Sequence, residues 1–163
     1  PSREVYAFVG DGTYLMMPTE IVTSIQEGLK VNLILVNNHG YASIGSLSSS
    51  LGTAGYGTQY RMRDTQSGEL TGDFLPLDFA ENARGFGALA FEARTLAEFK
   101  DALAEAKSAP RTTVIVVHTD NSLKVPGYES WWDVAVAEVS KLDDVQAARK
   151  DYEEQIKKER FYF

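Results

Sequence analysis

The chain has 163 residues, 44% of them hydrophobic and 24% charged, with a formal net charge of −7 and no cysteine. That length fits one domain able to bury a proper core. The charge argues against nonspecific nucleic-acid binding, and the missing cysteine excludes disulfides, thiolate zinc sites and cysteine nucleophiles. No apolar stretch approaches a membrane span and no signal peptide opens the chain, so neither a membrane nor a nucleic acid is an expected partner.

The first apolar run, Val5 to Val9, reads as a buried-type strand and ends in the glycine turn Gly10-Asp11-Gly12. Thr13 to Met17 read as a connection, and Pro18 as the first residue of a helix carrying Ile21, Val22, Ile25 and Leu29 at helical spacing. Gly28 marks its stop. The next run, Val31 to Val36, is almost continuously apolar, as in a parallel strand covered on both faces, and ends in Asn37-Asn38. Residues 39–60 are rich in glycine, serine and tyrosine without a period; they read as a long loop, mobile until a ligand orders it. A second irregular stretch covers 61–76.

Asp78 is placed to cap a short helix over 79–84, and Phe86 to Glu92 read as a strand. Thr95-Leu96-Ala97-Glu98 is a capping box for a helix carrying Leu96, Phe99, Leu103 and Ala106. Pro110 precedes a strand over 113–118. Residues 119–132 read as loop, 134–140 as a short helix and 143–160 as a charged helix, so 134–163 form a helical extension. Alternating strands and helices predict an α/β fold: a doubly wound parallel sheet with helices on both faces. Both ends read as cut. Pro1-Ser2-Arg3-Glu4 runs directly into a strand and Arg160-Phe161-Tyr162-Phe163 is an aromatic cluster, so one domain of a longer polypeptide is expected over 1–163.

If the first two strands are parallel neighbours, Asp11 and Asn38 emerge side by side at the carboxyl edge, where open α/β sheets bind ligands. One carboxylate, one amide oxygen and exposed backbone suit a hard cation such as magnesium, which shares its coordination with water and phosphates. The arrangement points to magnesium–diphosphate binding. Taken alone, Asp11 is as well explained as a turn former, and Asn38 as a turn or cap amide.

These residues resemble the thiamine-diphosphate-dependent enzymes, whose diphosphate-binding domain carries a GDG motif and, after a helix and a strand, an NN pair. Here the motif reads Gly10-Asp11-Gly12-Thr13 through Asn37-Asn38, and the resemblance continues through Leu77 to Ala83, Gly85 to Ala88 and Thr113 to Val117. Asn37 to Gly45 and Pro126-Gly127-Tyr128-Glu129-Ser130-Trp131-Trp132 look most like one branch. That branch is the trihydroxycyclohexane-1,2-dione hydrolases of bacterial myo-inositol breakdown.

The resemblance implies thiamine diphosphate and Mg²⁺ as cofactors, with Asp11, Asn38 and the Gly40 carbonyl as metal ligands. Gly10, Gly12, Thr13 and Tyr14 surround the diphosphate, with N–H groups from residues 12–14 presented ahead of a helix. His39 and Tyr41 are candidates to touch its oxygens, with loop packing an equal alternative; Asn37 is expected to hold the loop by hydrogen bonds. His118 reads as a hydrogen-bonded structural residue, and Trp131 and Trp132 as a packing or interface pair. No serine lies in a nucleophile elbow and no dinucleotide fingerprint is present.

By resemblance, a glutamate that activates the cofactor belongs to a pyrimidine-binding domain of the same or a partner subunit. The chain is then the metal–diphosphate half of a site, inert alone, in a cytoplasmic homo-oligomer acting on a cyclic diketone. Two alternatives stand beside the hydrolase: the equivalent domain of an acetolactate synthase or 2-oxoacid decarboxylase, and a noncatalytic interaction module.

Overall fold

A computed structural model describes residues 3–123 and 131–160. The segment Pro126 to Ser130, Pro1-Ser2 and Phe161 to Phe163 lie outside the described residues. Four strands form one parallel sheet in the order β1-β2-β4-β3: β1 Tyr6–Gly10, β2 Asn32–Asn37, β3 Leu89–Ala93 and β4 Thr113–His118. The helices are α1 Asp11–Met16, α2 Glu20–Gln26, α3 Ala42–Ser50, α4 Phe79–Gly85, α5 Leu96–Ser108 and α6 Asp143–Ile156.

Strand order decides which face each helix covers. Crossovers between parallel strands are right-handed, so a chain that reverses its direction across the sheet must change face. From β1 to β2 and on to β3 the chain moves one way; from β3 to β4 it steps back. Accordingly Tyr14 of α1, Ile21 of α2 and Phe79, Ala80 and Ala83 of α4 pack with Leu35, Val114 and Val116 in one cluster. Ala102 and Ala106 of α5 pack with Ala93 and Ile115 in the other. Neighbours in β4 point alternately into the two clusters, as the strand period requires. This is the doubly wound sheet the alternation predicts.

Local signals hold at several helix ends. Gly28 has φ +63°, Gly28 N–H donates to Ile25 O at 3.1 Å and Leu29 N–H to Ser24 O at 3.0 Å, the paired bonds of a left-handed C-terminal cap. Thr95 and Glu98 form the reciprocal capping box, and the Asp78 side chain accepts from Glu81 N–H at 2.8 Å. Ser24 and Thr112 hydroxyls hydrogen-bond across the buried end of the sheet.

Other expectations are corrected. Residues 11–16 form helix α1, so the turn residues lie in its first turn rather than ahead of it. The helix expected from Pro18 begins at Glu20, after a turn in which Ile21 N–H donates to Pro18 O. Residues 42–50, expected as loop, form α3; its serines bond their own preceding turns, Ser49 Oγ to Gly45 O and Ser50 Oγ to Leu47 O. Ile44 and Leu47 lie on its surface, so no buried apolar face anchors this helix. The strand expected from Phe86 starts at Leu89, because Phe86 and Gly87 complete the cap of α4. Residues 134–140 carry no helix, and α6 stops at Ile156. The segment before α6 instead lies along it: Tyr152 Oη donates to Asp133 at 3.0 Å and Arg149 to Val136 O at 3.1 Å. Among the described residues no helix is long and apolar enough to cross a membrane.

Candidate functional site

The pairing of β1 with β2 sets Gly10 opposite Val36, so the residues that follow each strand leave the sheet together. Asp11 is fully buried. Its Oδ1 accepts from Gly12 N–H at 2.8 Å, and its Oδ2 accepts from Asn38 N–H and Gly40 N–H, each at 3.1 Å. The carboxylate thus ties the first turn to the second. Burial pushes its carboxyl above the ordinary aspartate range, and the N–H bonds from Gly40, Gly12 and Asn38 oppose that. A buried carboxylate held by dipoles calls for a cation.

Asn38 Oδ1 is buried with no hydrogen-bond partner among the described residues. The backbone beneath it is pinned from the segment that follows β4: Thr119 N–H donates to Asn37 O at 3.0 Å and Asn121 Nδ2 to Asn38 O at 3.3 Å. Asn37 Oδ1 accepts from His39 N–H at 3.2 Å and so holds the loop, while His39 takes φ 60°, rare for a residue with a side chain. Gly40 is buried, and a Cβ there would lie 2.2 Å from Thr58 O. Only glycine lets the backbone of residues 58–59 lie so close.

Remaining candidates divide. Tyr14 turns its side chain into the core, its hydroxyl donating to Asn82 at 2.8 Å and its ring meeting Phe79 edge-on at 5.8 Å. Burial pushes that phenol up to about 12. Thr13 is exposed. Gly10 has open space where a Cβ would stand. At Gly12 a Cβ would meet the Tyr41 ring at 2.6 Å, so Tyr41 lies across that turn. His39 stacks on Phe74 with ring centroids 4.7 Å apart. His118 Nε2 is paired with Glu92 at 3.0 Å, and its Nδ1 lies 3.5 Å from Asn37 Nδ2 at the base of the second turn. Trp131 packs on Tyr152 at 6.3 Å, whereas Trp132 is 70% exposed.

Sequence reasoning missed Thr58, Gln59 and Tyr60. Gly40 and Gln59 pair as an isolated antiparallel bridge, Tyr41 N–H donates to Thr58 O at 2.8 Å and Tyr60 N–H to His39 O at 2.9 Å. These residues form a strap over the second turn. No local signal could have matched residue 59 to residue 40. A cavity of about 230 Å³ opens beside Asn38 and Gly40, bounded by Ser46, Ser49, Thr58 and Asn121.

Among the described residues no group of three or more His, Cys, Asp or Glu gathers as a metal cluster. One buried carboxylate, one unpartnered amide oxygen and a glycine carbonyl are hard donors, too few to enclose a metal by themselves. That donor set fits Mg²⁺ completed by phosphate oxygens and water.

A doubly wound parallel sheet with this oxygen corner at its carboxyl edge is an α/β domain of the kind that binds ligands at that edge. The profile described as "Thiamine pyrophosphate enzyme, C-terminal TPP binding domain" matches residues 1–117, and the chain belongs to that family. It is 40% identical over 162 residues to a 3D-(3,5/4)-trihydroxycyclohexane-1,2-dione hydrolase of Geobacillus thermodenitrificans, covering 99% of this chain and 25% of that protein. The same figures hold for the enzyme of that name from Clostridium botulinum (strain Alaska E43 / Type E3). The chain spans about a quarter of the length of these curated relatives. Among solved structures it resembles a thiamine diphosphate-dependent 4-hydroxybenzoylformate decarboxylase from Rhodococcus jostii RHA1, with TM-score 0.58 and 27% identity over 74% of this chain and 20% of that one. A benzoylformate decarboxylase from Polynucleobacter necessarius gives TM-score 0.62 and 26% identity over 75% and 20%.

Proposed function

We propose that this chain is the metal–diphosphate half of the active site of a thiamine-diphosphate-dependent trihydroxycyclohexane-1,2-dione hydrolase. In this reading 1–163 is a single domain of a longer enzyme that opens a cyclic 1,2-diketone by carbon–carbon cleavage. The observation that carries the metal site is the partnerless Asn38 Oδ1 beside the buried Asp11 carboxylate. Asp11, Asn38 and the Gly40 carbonyl hold Mg²⁺. The backbone of Gly10 through Tyr14, with His39 and Tyr41, surrounds the diphosphate. Gly12 N–H is engaged by Asp11, so in this reading it orients the carboxylate.

The cofactor, when bound, supplies an electron sink for a bond broken next to a carbonyl. The chain's own residues bind and orient it: Asp11 provides charge, Asn38 a neutral oxygen, and the strap over Gly40 fixes the loop. The proton-handling glutamate belongs to a pyrimidine-binding domain of the same or a partner subunit. Exposed apolar residues near the site support such a cover: Met16 is 68% exposed, Ile44 60% and Leu47 50%. A homo-oligomer in the cytoplasm completes the proposal. The hydrolase is preferred over a decarboxylase because identity with it is higher and extends over nearly the whole chain.

The test compares the intact polypeptide with its Asp11→Asn form at saturating Mg²⁺ and cofactor. Removing the charged ligand should abolish Mg²⁺-dependent cofactor binding and ring opening of the diketone. Undiminished binding in Asp11→Asn would make Asp11 a turn residue. Intact binding in wild type with no action on the diketone would leave the domain assignment and remove the substrate.

A further inference from the structure

Among the described residues two buried side-chain oxygens lack a hydrogen-bond partner: Asn38 Oδ1 and Tyr60 Oη. The metal site accounts for the first and leaves the second. A buried hydroxyl without a partner forfeits the bonds it would make in water, so its retention calls for a partner that arrives later.

The position of Tyr60 is strongly determined. Its N–H donates to His39 O at 2.9 Å and its own carbonyl accepts from Leu75 N–H at 2.8 Å, so the backbone is held on both sides. Its ring meets that of Tyr41 edge-on, centroids 5.7 Å apart. A Cβ built on Gly12 would lie 3.1 Å from the Tyr60 hydroxyl oxygen, which puts that oxygen over the Gly10–Gly12 turn. The Tyr41 side chain is close enough to act on the Tyr60 phenol, yet the Tyr60 hydroxyl makes no hydrogen bond that meets the geometric requirements. Asp11 already accepts from the N–H groups of Gly12, Asn38 and Gly40.

A tyrosine phenol keeps its proton at neutral pH, so this hydroxyl has a hydrogen to donate. It is therefore available as a donor over the first turn, beside the metal corner of the proposed site. A neutral donor fixed beside a metal–anion pair is matched by an anionic oxygen.

We propose that the Tyr60 hydroxyl donates a hydrogen bond to a diphosphate oxygen of the bound cofactor, which makes the strap of residues 58–60 part of the binding site. The proposal rests on the metal–diphosphate reading of Asp11 and Asn38. It assigns two tasks to one strap. The backbone holds the loop that carries the Gly40 carbonyl, and the Tyr60 side chain reads the ligand.

The experiment uses Tyr60→Phe in the intact polypeptide, with Mg²⁺ and two probes, thiamine diphosphate and inorganic diphosphate, titrated calorimetrically. The melting temperature of the ligand-free protein is measured alongside. Losing one hydrogen bond to a charged group should weaken both probes by about tenfold or more. The ligand-free variant should melt at or above the wild-type temperature, because a partnerless hydroxyl has been removed. Wild-type affinity for both probes in Tyr60→Phe, with Asp11→Asn binding neither, overturns the Tyr60 proposal and leaves the metal site standing. A lower melting temperature with unchanged affinity shows a structural hydroxyl and overturns it too. Wild type that binds neither probe with Mg²⁺ removes the underlying reading and this proposal together.

Discussion

Replacing Gly40 with alanine tests the geometry of the second turn directly. The added methyl would lie 2.2 Å from Thr58 O, 2.9 Å from Gln59 Cα and 3.1 Å from Thr58 C. These are backbone atoms, so no side chain can swing aside. Reaching ordinary contact separation requires the strap to retreat by roughly 1 Å or more. That retreat strains the Tyr41 N–H to Thr58 O bond of 2.8 Å and the Tyr60 N–H to His39 O bond of 2.9 Å. Overpacking costs about 1–3 kcal/mol and weakening the two bonds without breaking them costs about 1 kcal/mol together, giving a loss of roughly 2–4 kcal/mol. For a domain of this size that lowers the melting temperature by roughly 5–15 °C. Gly10→Ala is the matched control. Gly10 has φ −74° and ψ 157°, a conformation alanine adopts freely, and nothing lies within 4 Å of the new methyl. Its stability should stay within about 0.5 kcal/mol of wild type. Scanning calorimetry and urea titration on both variants decide the matter. Equal melting of Gly40→Ala and Gly10→Ala would refute the close approach of strap and turn.

Two pH predictions concern Tyr14, whose side chain turns into the core, and Glu4. Tyr14 has its phenol raised from 10.0 to about 12 by burial, so the folded state holds that proton more tightly than the unfolded chain. The stabilisation is complete below pH 10 and is lost as pH rises toward 12, by up to about 3 kcal/mol; Tyr14→Phe should flatten this alkaline limb in urea titrations. Glu4 accepts from Asn32 Nδ2 at 2.8 Å and from Lys30, and these bonds hold its carboxyl below 4.5. Its contribution is present above the unfolded value and lost as pH falls through the lowered folded one, so Glu4→Gln should shrink the acid loss of stability between neutral pH and pH 3.

Much of the fold was legible because its signals are local. The apolar runs of β2 and β4, the Thr95–Glu98 capping box and Gly28 each act within a few residues, where propensity and capping chemistry operate. The pairing of Asp11 with Asn38 was also legible, since parallel neighbours bring strand ends to one edge. Helix α3 was not, because its serines and glycine carry no apolar period and its position is set by Tyr41, Thr58 and the tail at Gly52. A Cβ on Gly52 would meet the backbone of Asp144 at 2.5 Å, so the start of α6 packs against the end of α3. The strap of residues 58–60 was equally hidden, since its bonds reach back to residues 39–41 from an aperiodic stretch. The sequence by itself determined the element types wherever a local signal is strong, and the donor chemistry of the two turns, which depend on residue identity and spacing. Only the tertiary structure decided which oxygens are left without partners, because that depends on every donor brought near them by the rest of the chain.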